Sequence, residues 1–332
     1  MTVKEDRAKA VRRGAPSGGQ SRGDRRSSRL RRAAAKLHRD KALLLLAIPG
    51  LAVLLLFQYL PLLGNIIAFE NYEPYLGIVQ SQWTGLANFA IIFNGNPQFL
   101  SALYNTLIIT ALQLVFVFPA PIALALLLNS LLSERVKKLV QSVLYLPHFL
   151  SWVVVVAIFQ SMLGGSGLLD DWLRSNGHTT LNIIGNAGLF KEMIVSQVVW
   201  KDTGWATILF LAALSTIDVA LYEAASVDGA SRWQQLRHIT LPGLKSIAIL
   251  LFILRLGNVL SVGFEQIILQ QGPVGLGASE VLDTYVYHNG VLGGQWGESA
   301  AVGLVKGIVG VALVLAANKV AHLFGEPGLY QS

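Results

Sequence analysis

The 332-residue chain contains no cysteine. Disulfides, thiolate nucleophiles and cysteine-based metal sites are excluded, and nothing in the sequence reports a redox compartment. Charge is scarce as well. Only 14% of residues are charged against 53% hydrophobic, where a soluble globular domain carries about 25% charge. That deficit points to a polytopic membrane protein. A Walker A sequence, G-x-x-x-x-G-K-S/T, is missing, so the chain lacks the loop with which it would hydrolyse ATP itself. H-E-x-x-H is missing too, and the six His residues show no ligand spacing, so no metal site is expected. Gly164–Leu168 reads GGSGL rather than G-x-S-x-G, which excludes an esterase elbow. An intramembrane enzyme is left with neither a nucleophile–base pair nor a metal set.

The formal net charge of +7 is unevenly divided. Residues 1–41 hold 14 Lys/Arg and 4 Asp/Glu, and the remainder holds 12 basic and 15 acidic residues. The basic character therefore belongs to a tail and not to a nucleic-acid-binding fold. Rich in Gly, Ser and Arg, the tail cannot bury enough apolar surface to fold alone. It is expected to be a disordered, membrane-proximal cytoplasmic arm within reach of anionic lipid head groups. A cleaved signal peptide is not expected, because the first apolar run begins after residue 41 and is too long for an h-region.

A helix needs about 20 apolar residues to cross a bilayer. On that measure the sequence predicts an all-α polytopic membrane protein with six transmembrane helices. The spans fall at about 43–68, 102–129, 139–163, 191–214, 245–270 and 299–323, within a transmembrane domain covering 42–332. Lys and Arg concentrate in the tail, the 130–138 loop and the 215–245 loop, all on one side of a six-span topology. The positive-inside rule then puts both termini in the cytoplasm. Pro49, Pro61, Pro119, Pro121 and Pro147 lie within or at the ends of apolar runs, which predicts kinked or broken helices.

The second cytoplasmic loop, 215–244, is more structured than a linker needs to be. Ser215 or Asp218 caps a first helix through VALYEAASV, and Asp228–Gly229 stops it, since Gly accepts the left-handed conformation. Ser231 caps a second helix, with Gln234 completing a capping box. Pro242 ends that helix or bends its entry into the fifth span. Ala224, Ala225, Gly229 and Ala230 permit close approach by another surface, and Glu223, Asp228, Arg232 and Arg237 supply a polar rim.

This stretch resembles the EAA loop of ABC importer permeases through Glu223, Ala224, Ala225, Asp228, Gly229, Ile239, Leu241 and Pro242. Further likenesses lie in WTGLANF (Trp83–Phe89), ALYNTLIIT (Ala102–Thr110), YLPHFLSWVVV (Tyr145–Val155), WKDTGW (Trp200–Trp205), DTYVYHNG (Asp283–Gly290) and AVGLVKGIVG (Ala301–Gly310). A terminal E-x-G-L element spans Glu326–Leu329. Together these are similar to the carbohydrate-uptake family, in its polysaccharide branch, whose members import oligosaccharides of the alginate or pectin kind, often uronate-containing. The segment GSGLLDDWL departs from the Gly then Asn-x-x-Leu that many sugar permeases carry after the third span.

The resemblance implies a permease subunit of a binding-protein-dependent importer in the bacterial inner membrane. Its implied partners are a second, related permease, two ATPase subunits that hold ATP and Mg, and an extracytoplasmic solute-binding protein. The EAA loop would be the coupling helix docked on the ATPase. No cofactor is implied for this chain.

Ionisable residues inside spans are costly and are functional candidates. The predicted pathway candidates are Lys201, Asp202, Arg255, Asn258, Glu265 and Lys306, with Trp200 and Tyr285 as sugar-stacking faces beside Trp205. Lys201 and Asp202 are adjacent and point about 100° apart on a helix, so they need not pair. Arg255 is mid-span with no snorkelling route, and a buried cation without a fixed partner favours an anionic ligand. The competing expectation pairs Arg255 with Glu265 or with a partner subunit's carboxylate. An ion-coupled secondary transporter of a small polar solute is the alternative function, but Glu265 alone is a poor carboxylate relay and the cytoplasmic loop would be unexplained.

Overall fold

A computed structural model describes residues 41–330 apart from 132, 324 and 327, with the backbone alone at 42–44. The expected basic arm, 1–41, lies outside the described residues except for Lys41, which is helical. The chain divides into two compact units, Met1–Gly64 and Asn65–Ser332.

In the first unit, Lys41–Leu54 is α-helical and passes into a π turn at Leu55–Tyr59. A 3-10 stretch, Leu60–Phe69, follows and carries the chain past Gly64 into the second unit. Leu45–Phe69 is long and apolar enough to cross a membrane.

In the second unit four more helical stretches meet the same test: Pro97–Asn129, Trp152–Ser175, Arg232–Gly257 and Trp296–Leu323. Phe190–Leu214 and Val219–Val227, bent by 70° against each other, meet it only as a pair, which brings five such stretches to six if the pair counts as one. A two-residue antiparallel ladder pairs Glu70–Asn71 with Gln82–Trp83, Glu70 lying opposite Trp83.

Three π turns share one cause. Leu55–Tyr59, Gln113–Val117 and Leu236–Thr240 each stop two residues before a proline, Pro61, Pro119 and Pro242. Proline has no N–H and its ring crowds the carbonyl four residues back. Each chain widens for one turn, and the residue just before the proline donates five residues back: Leu60 to Leu55, Phe118 to Gln113, Leu241 to Leu236. The helical backbone runs on through each proline. Pro242 therefore does not end its helix, which continues into the fifth span.

Two predicted spans are interrupted. In place of one helix over 139–163 there is an amphipathic helix, Glu134–Tyr145, a 3-10 turn at Leu146–Phe149, and a new helix, Trp152–Leu163, capped by Ser151. Pro147 sits in the interruption. In place of 245–270 the fifth helix ends at Gly257, and the chain turns at Gly263, whose φ of +115° suits only glycine. Four short helices follow between Phe264 and Val286.

Those short helices are held by polar groups buried among apolar ones. Asn105 Nδ2 donates to the carbonyls of Gly277 and Glu280, at 3.1 and 2.9 Å. Gln197, Gln266 and Gln270 bond one another at 2.7–3.0 Å, all of them fully buried. Away from water such amides need internal partners, and here the pairing fixes the 264–286 segment to the second and fourth spans. Ile109, Phe190, Ile194, Val262 and Ile267 pack around them. Toward the opposite end of the fourth span, Ala125, Phe210, Leu214 and Leu244 form a separate cluster of the second, fourth and fifth spans.

Candidate functional site

The 215–244 loop is a braced knob. Asp218 Oδ1 accepts from Ala220 N at 2.9 Å and caps the helix Val219–Val227, whereas the Ser215 hydroxyl bonds back to Ala212 O. Gly229 has φ +77°, and Ala230 N reaches back to Ala225 O at 2.9 Å, which closes the helix C-terminus. The Ser231–Gln234 capping box then starts the next helix. Two cross-links hold the halves together: Tyr222 Oη to Thr240 Oγ1 at 3.0 Å, and Gln235 Nε2 to Ser226 Oγ at 2.9 Å.

Glu223, Ala224, Asp228, Gly229, Leu241 and Pro242 are exposed on this knob, and Ala225 and Ile239 are half-buried. Val227 and Trp233 are also exposed, at 88% and 67%. Sequence reasoning had not singled them out, although two large apolar residues at the tip of a polar loop were visible there. A rigid knob with apolar side chains at its tip is suited to docking in a groove of another protein.

The intramembrane candidates fall into separate places. Lys201 is buried, and its Nζ donates to the His148 carbonyl at 2.6 Å and lies 5.5 Å from the Trp152 ring. Asp202 Oδ1 bonds His148 Nδ1 at 2.9 Å. Both neighbours thus grip one residue of the interrupted third span, Lys201 by its main chain and Asp202 by its ring. The carbonyls freed at the break around Pro147 are what the lysine satisfies. His148 also stacks on Trp205 at 4.8 Å and 3°, so one face of that indole is already covered.

Arg255 donates to Gln113 Oε1 on the second span. Among the described residues it forms no ion pair. It lines a cavity of about 210 Å³ with Asp202, Phe118, Thr203 and Phe210. The expected alternative partner, Glu265, is exposed in the short helix Phe264–Ile268, beyond the end of the fifth helix. Lys306 pairs with Asp283, so the expectation of a cation without a fixed partner does not hold for it. That pair lines a second cavity of about 230 Å³ with Asn258, Ser261 and a wall of Gly257, Gly303, Gly307 and Gly310. Trp200 is 42% exposed and meets Phe159 edge-on. Tyr285 is 2% exposed and packed edge-on against Phe99. Gln113 and Asp283 were not among the predicted site residues, since each lies far along the chain from the charge it meets.

Residues 117–326 match the family of the binding-protein-dependent transport system inner membrane component. The chain belongs to this family. Over 297 residues it is 45% identical to Protein LplB of Bacillus subtilis (strain 168), covering 89% of this chain and 93% of the relative. It is 44% identical to the polygalacturonan/rhamnogalacturonan transport system permease protein YteP of the same organism, covering 89% and 92%. Among solved structures it is similar to a chain of a bacterial alginate ABC transporter in complex with alginate pentasaccharide-bound periplasmic protein. That likeness has a TM-score of 0.81 and 34% identity, over 89% of this chain and 99% of the other. The permease is therefore an inner-membrane transport subunit, and the knob and both cavities lie within the matched region. The ion-coupled alternative finds no support: the carboxylate it relied on, Glu265, stands outside the spans.

Proposed function

We propose that this permease moves uronate-containing oligosaccharides through a pathway beside Arg255, as one of two related membrane subunits of an ABC importer. Both termini face the cytoplasm. The knob at Glu223–Pro242 docks on an ATPase subunit through Val227 and Trp233, with Glu223 and Asp228 at the rim. ATP and Mg are held by two such ATPase subunits, and none by this chain. An extracytoplasmic binding protein delivers the sugar to the opposite face. ATP-driven closure of the ATPases displaces the knob as a rigid lever and turns the paired permeases from inward-facing to outward-facing.

The observation that carries the substrate class is the state of Arg255. Among the described residues its guanidinium has a single, neutral side-chain partner, Gln113, and it borders a cavity. Five N–H donors in a fixed fork leave capacity for a carboxylate held by two parallel bonds. Lys306, neutralised by Asp283, is a weaker choice for the same task. The likeness to the polygalacturonan/rhamnogalacturonan permease YteP and to the importer of the acidic polysaccharide alginate supports the same class.

Uptake of trigalacturonate and of its carboxyl-reduced, neutral counterpart tests this in wild type, Arg255→Gln and Lys306→Gln. Arg255→Gln is expected to lose the acidic sugar tenfold or more while sparing the neutral one. Equal loss of both sugars in Arg255→Gln would falsify the acidic-substrate reading.

A further inference from the structure

The E-x-G-L element has no part in the sites above, yet Glu326 and Leu329 in it are bonded to two different spans. The sixth helix ends at Leu323, and the chain turns back at Gly325, φ +74°, with Glu326 N donating to Ala321 O at 3.0 Å. Both oxygens of Glu326 are then taken by the first turns of the fifth span. Oε1 lies 2.8 Å from Lys245 Nζ, and Oε2 accepts from Ser246 Oγ at 2.6 Å. The segment next lies back along the sixth helix. Asn318 Oδ1 accepts from Leu329 N at 2.6 Å, and His322 Nε2 bonds Tyr330 O at 2.7 Å. Gly328 makes this approach possible, because a Cβ there would stand 2.1 Å from Asn318 Oδ1. Lys245 and Ser246 follow Pro242, the last residue of the coupling motif, by only three and four positions.

A second contact joins the same two spans deeper in the fold. At Gly310 of the sixth helix an added Cβ would be 2.6 Å from the Gly257 carbonyl oxygen of the fifth. Two helices touching at one point can scissor about it. Residues 246 and 257 are about 16 Å apart along a helix rising 1.5 Å per residue, and ties at both places remove that freedom.

We infer that Glu326–Tyr330 is a clasp that makes the fifth and sixth spans move as one body when the coupling loop is displaced, with Glu326 as a positioning residue for transport. This rests on the reading of the knob as the ATPase-coupled loop. Exposed ion pairs are worth little to stability, so the role of the clasp is to set a geometry and not to hold the fold.

The test uses the assembled complex in proteoliposomes, with trigalacturonate as the probe, and reads sugar moved per ATP hydrolysed. Glu326→Ala is expected to assemble and hydrolyse ATP while that ratio falls threefold or more. Lys245→Glu with Glu326→Lys is expected to restore part of it. An unchanged ratio in Glu326→Ala overturns the inference. Should that variant not assemble, Lys245→Ala with Ser246→Ala removes the same bonds from exposed positions, and an unchanged ratio there overturns it equally. Joining Lys245→Cys to Glu326→Cys with a short thiol cross-linker is expected to preserve transport. Loss of transport would mean that the clasp must open, contrary to the inference. A Glu223→Ala arm separates the two readings. A normal ratio there with a lowered one in Glu326→Ala keeps the clasp and rejects the docking loop, and the reverse pattern rejects the clasp alone.

Discussion

Substitutions at Gly229 should follow backbone strain and not bulk. Its φ is +77°, and nothing lies within 4 Å of the position a Cβ would occupy. An L-residue in the left-handed region costs about 1–2 kcal/mol, Asn least, and a β-branched residue is a true outlier there. Opposing that strain are the Tyr222–Thr240 and Ser226–Gln235 bonds, each worth about 1 kcal/mol net. The Ser231 capping box adds about 1 kcal/mol more. The braces thus exceed the strain of Ala by a narrow margin and are matched by that of Val. Gly229→Asn should leave the knob native, Gly229→Ala should cost well under twofold in coupling, and Gly229→Val should leave the native tip only about half populated, because apparent affinity scales with the competent fraction. The assay is substrate-stimulated ATPase activity and uptake in the assembled complex, with membrane insertion checked separately. Normal transport in Gly229→Val would refute the reasoning. So would Asn proving as harmful as Val, because lost space against a partner, and not φ, would then be the cause.

Single cysteines introduced at positions 20 and 232 should be shielded from an impermeant thiol reagent in intact cells, and those at 80 and 175 should react. Labelling at 232 would reverse the topology. Gly310→Val should lower the thermal stability of the detergent-solubilised protein, since its Cβ meets the Gly257 carbonyl at 2.6 Å and overpacking costs about 1–3 kcal/mol; an unchanged unfolding temperature counts against the close approach. Hydrogen bonds from Lys245 and Ser246 hold Glu326 below its ordinary value of 4.5. A depressed carboxylate contributes stability that is fully present above the unfolded value and lost as pH falls through the folded one. The stability gap between wild type and Glu326→Gln should therefore be small at neutral pH, as for any surface ion pair, and close below about 4.5, and a gap that stays constant to pH 3 would exclude the linkage.

The knob was legible residue by residue because its determinants are local. Asp218, Gly229, Ser231 and Gln234 act on backbone groups within a few positions of themselves. The helix breaks were not, because apolarity reports what faces lipid and not whether the backbone is continuous. LPHFLSWVVV and GNVLSVGF remain uncharged across the interruptions at Leu146–Ser151 and Asn258–Gly263. Pro147 and Gly263 were the local signs, yet the helical backbone runs on through Pro61, Pro119 and Pro242. Sequence alone does not say which prolines a π turn will absorb. The partners of the intramembrane charges were hidden for another reason. Gln113 stands 142 residues from Arg255, and Asp283 stands 23 from Lys306. No helical spacing encodes either meeting.

Inside a membrane each polar group must find its match within the protein, so the pattern of matching separates structure from function. Lys201 is satisfied by the carbonyl of an interrupted helix, Asp202 by the ring of the same residue, and Lys306 by Asp283, while the buried glutamines bond one another and leave Gln266 Oε1 without a partner among the described residues. Such groups fix the shape of the bundle, and removing any one strands its partner, which costs about 1–3 kcal/mol for a neutral group and more for a charge. Arg255 differs. Gln113 supplies a hydrogen bond but no charge, and the guanidinium borders a cavity that Asp202 reaches from the fourth span. Asp202 is itself committed to His148. Of the predicted cations Lys201, Arg255 and Lys306, Arg255 thus borders a cavity with neither a carboxylate at contact nor a set of carbonyls. A sugar carboxylate arriving there gains a charge-assisted pair without first breaking an ion pair, whereas at Lys306 it would have to displace Asp283. On the proposed pathway, that difference favours Arg255 over Lys306 as the group that selects substrate charge.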